Sequence, residues 1–152
     1  MNKPFCISTR LTTLWLYGGA IYYILESCWR GHFPHQLIFV MGGAGFLALS
    51  MINTRIPWRM GLFYQSLIGA AALTAVEFVF GFIFNILFDY GLWNYSHIGL
   101  HIGQIFIPLN LLAQICLPYS ILWIPLSAFG IFLDDFLRWR IYEEQVPTYT
   151  LF

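Results

Sequence analysis

The sequence predicts an all-α integral membrane protein with four transmembrane helices, a re-entrant or interfacial segment and a C-terminal interfacial helix. Three observations lead there. Hydrophobic residues make up 59% of the 152-residue chain and charged residues 9%, with a mean hydropathy of +0.71, whereas a soluble domain usually carries about 25% charge. Such a chain cannot cover a surface in water. Apolar runs near the ~20 residues needed to cross a bilayer recur along it. The few cations, finally, are distributed asymmetrically around those runs.

The elements follow in order within a single membrane domain spanning residues 1–152. The N-terminus opens like a signal peptide but has no small-x-small cleavage site followed by polar sequence, so residues 11–29 read as a retained first span. A short loop with Pro34 leads to a shorter second span at 37–52, and a basic loop with Pro57 leads to a third at 61–88, long enough to tilt. Residues 98–133 are mostly apolar, too long for one crossing, and punctuated by Pro108, Pro118 and Pro125. They divide into a re-entrant or interfacial segment at about 90–117 and a fourth span at 118–134. Gln104-Ile-Phe-Ile-Pro108 and Gln114-Ile-Cys-Leu-Pro118 repeat at a period of ten, a local tandem duplication. Beyond Leu133, Asp134 and Arg138 share a helical face, and Phe136, Trp139 and Tyr142 suit a membrane-surface anchor helix.

With four crossings, Lys3, Arg10, Arg55, Arg59, Arg138 and Arg140 fall on one side and Arg30 alone on the other. The positive-inside rule then puts both termini in the cytoplasm. A fifth crossing would move Arg138 and Arg140 outside and spoil the asymmetry.

Several function classes drop out. Seven basic and seven acidic residues leave no net charge and no nucleic-acid signature. Cys6, Cys28 and Cys116 form no CxxC pair and read as small apolar residues. Gly42, Gly43 and Gly45 lie inside an apolar span with no phosphate-binding Lys after them, so they and Gly18 and Gly19 point to close helix packing. GxSxG, Walker and HExxH patterns are absent, and no metal or cofactor is expected.

What remains is a set of polar groups at membrane depth. Ser66, Ala70, Thr74, Glu77, Gly81 and Asn85 form one small, polar stripe on the third span, with Glu77 at its middle. An intramembrane carboxylate is expensive and marks a functional candidate. Glu26 and Arg30 are four apart on the first span and can pair. Counted from the spans' starts at Leu11 and Gly61, Glu26 and Glu77 both lie about 22–24 Å up at 1.5 Å per residue, in the outer half of the bilayer. The 89–123 stretch has no Lys or Arg but carries Asn94, Tyr95, Ser96, His97, His101, Asn110 and Gln114. His97 and His101 have a spacing that can serve a metal, but without a third ligand they read as interfacial, hydrogen-bonded histidines.

Some of these residues carry a family resemblance. The runs Tyr22-Tyr23-Ile-Leu-Glu26, Trp29-Arg30-Gly31-His32 and Met41-Gly42-Gly43 are similar to the first half of the bacterial "Putative ABC-transporter type IV" (CmpB-like) permease family. Trp93-Asn94-Tyr95-Ser96-His97, Asn110-Leu-Leu-Ala-Gln114, Leu133-Asp134-Asp135-Phe-Leu-Arg138 and Pro147-x-Tyr149 extend the likeness over roughly residues 17–152. The resemblance implies a small multi-span membrane protein of transport type, with Glu26, Arg30, Glu77, Trp93, Tyr95, Ser96, Asn110 and Gln114 at motif positions. It departs from the family pattern in about ten extra residues, near His101–Asn110, between the Tyr-Ser and Asn-x-x-x-Gln elements. Nothing in the chain resembles an ATPase, so a transporter's motor would be another chain.

The expected protein is therefore a permease-type subunit of the bacterial inner membrane. It would bind a small polar or charged solute in an outward-half pocket made by Glu26, Arg30, Glu77, Trp93, Asn94, Tyr95, Ser96, His97, Asn110 and Gln114. It would act as a homo-oligomer or beside a separate ATPase or permease subunit. Two alternatives stand beside this: an intramembrane enzyme using Glu/His acid–base or metal chemistry, and a non-catalytic subunit of a membrane complex.

Overall fold

The computed structural model describes residues 7–56, 60–146 and 148–151. Lys3, Cys6, Arg59 and Pro147, which entered the expectations above, lie outside the described residues. Four helices form the body: α1 (Ile7–Arg30), α2 (Leu37–Arg55), α3 (Leu62–Phe80) and α4 (Leu117–Tyr142). Helix α3 continues as a π-helical stretch, Gly81–Leu87. Leu62–Leu87 and Leu117–Tyr142 are each long and apolar enough to cross a membrane, and the apolar part of α2, Leu37–Ile52, is shorter.

Local chemistry sets the helix ends. Helix α1 stops where Gly31 takes φ +71°, a left-handed value that glycine adopts at little cost, and its amide donates to the Ser27 carbonyl at 3.0 Å. His35 Nδ1 then accepts the Leu37 amide at 3.2 Å and satisfies one donor of the first turn of α2. Pro118 sits in the first turn of α4, where its missing N–H costs nothing.

The helices run up and down, each beside its sequence neighbour, with α2 also touching α4. Small residues allow the close approach. A Cβ on Gly42 would lie 2.5 Å from the Tyr22 Cβ, and one on Gly43 would lie 2.5 Å from the Trp15 indole nitrogen. Gly18 faces Phe46 still more tightly, and Gly69 faces Ser127 across the α3–α4 contact. These contacts fulfil the packing role expected of the glycines. Helices α1 and α4 meet mainly through long side chains, such as Tyr22 with Trp123, ring centres 5.8 Å apart.

Two elements differ from expectation. The connection between α3 and α4, expected as a re-entrant or interfacial segment, folds into two small antiparallel hairpins beside an otherwise helical body. β1 (Gly99–Ile102) pairs with β2 (Ile105–Pro108), and β3 (Asn110–Leu111) pairs with β4 (Ile115–Cys116). The sequence reason lies in the turns. Gly103 takes φ +63°, Leu112 and Ala113 take φ +51° and +58°, and Pro108 can donate to neither a helix nor a ladder. The two copies of the short repeat each begin where a hairpin turns into its return strand. The first hairpin, Gly99–Pro108, coincides with the extra ten residues, nearly all of them exposed.

The second difference concerns the C-terminus. No separate interfacial anchor helix forms, because α4 runs unbroken to Tyr142. Asp134 and Arg138 are buried rather than on a membrane surface, at 0% and 7% exposure, and their side chains pair at 2.8 Å. Arg138 also donates to the carbonyl and hydroxyl of Ser50 on α2, at 3.1 and 2.6 Å. Glu144 meets Arg10 of α1 at 2.6 Å. The tail then returns across α3: the Leu62 and Phe63 amides donate to the Thr150 and Leu151 carbonyls at 2.8 and 3.2 Å, and the Tyr149 hydroxyl donates to Asp135. These bonds satisfy donors that the start of α3 would otherwise leave open. One end of the bundle is thus closed by a polar network that includes Arg10 and Arg138, while Arg30 lies at the other.

Removing one partner of a buried pair leaves an uncompensated charge, which costs about 3–5 kcal/mol. Arg138→Met should lower unfolding stability in detergent by that order, and the double variant Asp134→Leu/Arg138→Met should recover most of the loss. Equal losses in both would show that the pair is not the source.

Candidate functional site

At the end of the bundle opposite that network, a cavity of about 410 Å³ lies between α1, α3, α4 and the 93–98 loop. Glu26, Arg30 and Glu77 bring charge to it, and Asn94 and His97 reach it from the loop. The remaining wall is largely aromatic: Tyr22, Trp29, Trp93, Tyr95, Tyr119 and Trp123.

Glu77 is its best-held group. It is 3% exposed, and its two oxygens accept from different elements. The Tyr95 hydroxyl donates to Oε1 at 2.8 Å, and the Trp123 indole N–H donates to Oε2 at 2.9 Å. One carboxylate thus joins α3 to the loop and to α4. Burial, and then the neighbouring Glu77 charge, push the Tyr95 phenol well above its ordinary value, so it remains a hydrogen-bond donor.

Glu26 and Arg30 pair as their spacing predicts. Arg30 Nε and Nη2 approach Glu26 Oε1 at 2.7 and 2.6 Å, and Nη1 donates to the Leu92 carbonyl at 3.0 Å. The ion pair therefore also ties the end of α1 to the loop. Both carboxylates face one cavity, in line with the equal depth deduced from helical rise.

Asn85, within the π-helical stretch, holds the loop from below. Its Oδ1 accepts the Leu92 amide at 2.7 Å, and its Nδ2 donates to the Trp93 carbonyl at 3.1 Å and to Gln114 Oε1 at 2.8 Å. The Trp93 indole donates to the Gln114 carbonyl at 2.9 Å. A π stretch in an α-helix often marks such a special site. Gly81 is needed here, since a Cβ would lie 2.6 Å from Gln114 Oε1.

Seven of the ten residues singled out from sequence line the cavity: Glu26, Arg30, Glu77, Trp93, Asn94, Tyr95 and His97. The other three support it from outside. The Ser96 amide donates to Asn94 Oδ1 at 2.8 Å and its side chain is exposed. Asn110 braces the hairpins, donating to the Ile98 carbonyl at 3.1 Å and accepting the Ala113 amide at 3.2 Å. Gln114 is buried behind Trp93, whereas Gln104 lies exposed at the first hairpin's tip. Sequence reasoning missed Tyr22, Trp29, Tyr119 and Trp123, because an aromatic near a membrane interface looks like a lipid anchor. The usable signal was Tyr119 and Trp123, four apart on one helical face and matched in depth to Glu77.

His97 and His101 do not share a helical face: His101 sits on β1 with its ring centre 5.0 Å from that of Phe106. Among the described residues, no three His, Cys, Asp or Glu side chains gather where a metal could be held.

The Glu77 bonds predict a graded response. In Glu77→Gln the amide oxygen can still accept from Trp123 while its NH₂ donates to the Tyr95 oxygen, so thermal stability should fall by about 1 kcal/mol or less. Glu77→Leu strands two buried donors and should cost about 1–3 kcal/mol for each. Thermal unfolding in detergent distinguishes the two.

No curated protein matches the chain, and neither does any solved structure. The family described as "Putative ABC-transporter type IV" matches residues 14–143, which include all four helices nearly end to end and every group around the cavity. The chain belongs to this ABC-transporter-type family, and its two helices of spanning length agree with a membrane protein.

Proposed function

We propose that the chain is a four-span, transport-type subunit of the bacterial inner membrane that binds a polar or charged solute in the cavity beside Glu77. The observation that carries this reading is a 3%-exposed carboxylate on the wall of a cavity of about 410 Å³, in a helix of membrane-spanning length. Intramembrane ionisable groups that face a cavity mark substrate or ion pathways. Glu26 and Arg30 supply further charge at the same level, and Tyr95 and Trp123 orient the Glu77 carboxylate.

Counting α1 and α2 as crossings makes four spans. Arg10, Arg55, Arg138 and Arg140 then gather at one end of the bundle and Arg30 at the other. The positive-inside rule puts both termini in the cytoplasm and the cavity in the outer half of the bilayer. Four helices enclose little path of their own, so a second copy or a separate permease subunit would complete the route. An ATPase would be a separate chain.

Single cysteines at Ser96 and Tyr142 in a cysteine-free background test this arrangement in intact cells. Ser96→Cys should react with a membrane-impermeant thiol reagent from outside, and Tyr142→Cys only after the membrane is opened. Tyr142→Cys reacting from outside would mean an odd number of crossings and would overturn the reading.

A further inference from the structure

The cavity continues inward. A narrow apolar slot of about 80 Å³ adjoins it, and Tyr22, Leu25, Glu77, Trp123 and Leu126 wall both spaces. From that shared wall the slot passes Leu73, Gly45, Phe129 and Gly130 to Leu133. Along α4 the interval from Trp123 to Leu133 is ten residues, about 15 Å of helix. That length matches a medium-length acyl chain, which a slot of this volume takes in only partly, the rest lying against lipid along its open side.

The slot lies between α1 and α4 with α2 and α3 as its floor, and part of its rim faces outward. Leu25, Leu122 and Phe129 line the two spaces and are 45%, 44% and 51% exposed. In a bilayer those side chains would meet lipid. A molecule could therefore enter sideways from the membrane, with its apolar part never leaving an apolar medium.

The polar end favours one sign of charge. Two carboxylates, Glu26 and Glu77, face one guanidinium, and Arg30 already engages Glu26 and the Leu92 carbonyl through all three nitrogens. Six aromatic rings surround the space, among them Tyr95 and Tyr119, stacked with centres 5.1 Å apart. Aromatic faces beside a net negative charge recognise ammonium groups, including quaternary ones. An anionic head would find the guanidinium on this wall already engaged.

The geometry points to an ammonium-headed amphiphile, drawn laterally from the bilayer, as the ligand of this site, its head beside Glu77 and its chain in the slot between α1 and α4. This rests on the reading of the cavity as a ligand site and goes further by naming the chemistry of the ligand.

The test uses the full chain in lipid nanodiscs, reading tryptophan fluorescence against empty discs. The probes are dodecyltrimethylammonium, tetramethylammonium and dodecyl sulfate, each below its micelle-forming concentration. Dodecyltrimethylammonium should bind at least about tenfold tighter than tetramethylammonium, because its chain partitions into the bilayer and concentrates the head group beside the cavity. Dodecyl sulfate should give no saturable signal above empty discs. Leu133→Trp, at the inner end of the slot and outside the cavity wall, should reduce the advantage of the chain and leave tetramethylammonium binding unchanged.

Equal binding of the two ammonium probes would overturn the amphiphile and leave a small-cation site. Saturable binding of dodecyl sulfate as tight as that of the cationic probe would overturn the charge selection. If no probe binds, the ammonium assignment is overturned, while the proposed function, which extends to other polar solutes, is judged by its own cysteine test. A disulfide between copies carrying Leu25→Cys and Phe129→Cys would place a second copy in the slot and overturn the proposal.

Discussion

The cavity end of this molecule depends on one carboxylate receiving two hydrogen bonds. Without Glu77 the hydroxyl of Tyr95 and the indole of Trp123 would be buried donors with nothing to bond, and α3, α4 and the loop would lose their common point. The same carboxylate also forms part of the cavity wall, so one group both joins three elements and shapes the open space between them.

The two ends of the bundle use similar residue types for opposite purposes. At the end near the C-terminal tail Arg138 is enclosed by Asp134, Ser50 and Glu144, while the tail lays its carbonyls across the start of α3. There the charges are spent on one another. At the cavity end Arg30 and Glu26 pair, whereas Glu77 is held by neutral donors and aromatic rings line the open space. Unbalanced charge beside volume is what separates a site from a brace.

The first hairpin stands apart from the framework around the cavity. Gly99–Pro108 leaves and returns almost at the same place, as the Leu109 amide donates to the Ile98 carbonyl at 3.1 Å. A loop that closes on itself costs little more as it lengthens. The buried framework of Asn85, Trp93 and Gln114 continues beneath it. The short repeat visible in the sequence is thus a repeated strand-start, with one copy buried and one displayed.

Composition and run length were enough to expect helices near 11–29, 37–52, 61–88 and 118–134, where α1 to α4 lie, and helical spacing was enough to pair Glu26 with Arg30. Those properties depend on solvent and on local geometry, which each segment carries by itself. Only the tertiary structure decided that the 90–117 stretch is two hairpins, that Asp134 and Arg138 are buried, and that Ser96, Asn110 and Gln114 support the cavity instead of lining it. It also decided that Tyr22, Trp29, Tyr119 and Trp123 belong to the wall. Each of these turns on which residues distant in the chain come to face one another. An aromatic or an ion pair has the same local signature whether its neighbour is lipid, a helix or an open cavity, so packing alone assigns its role.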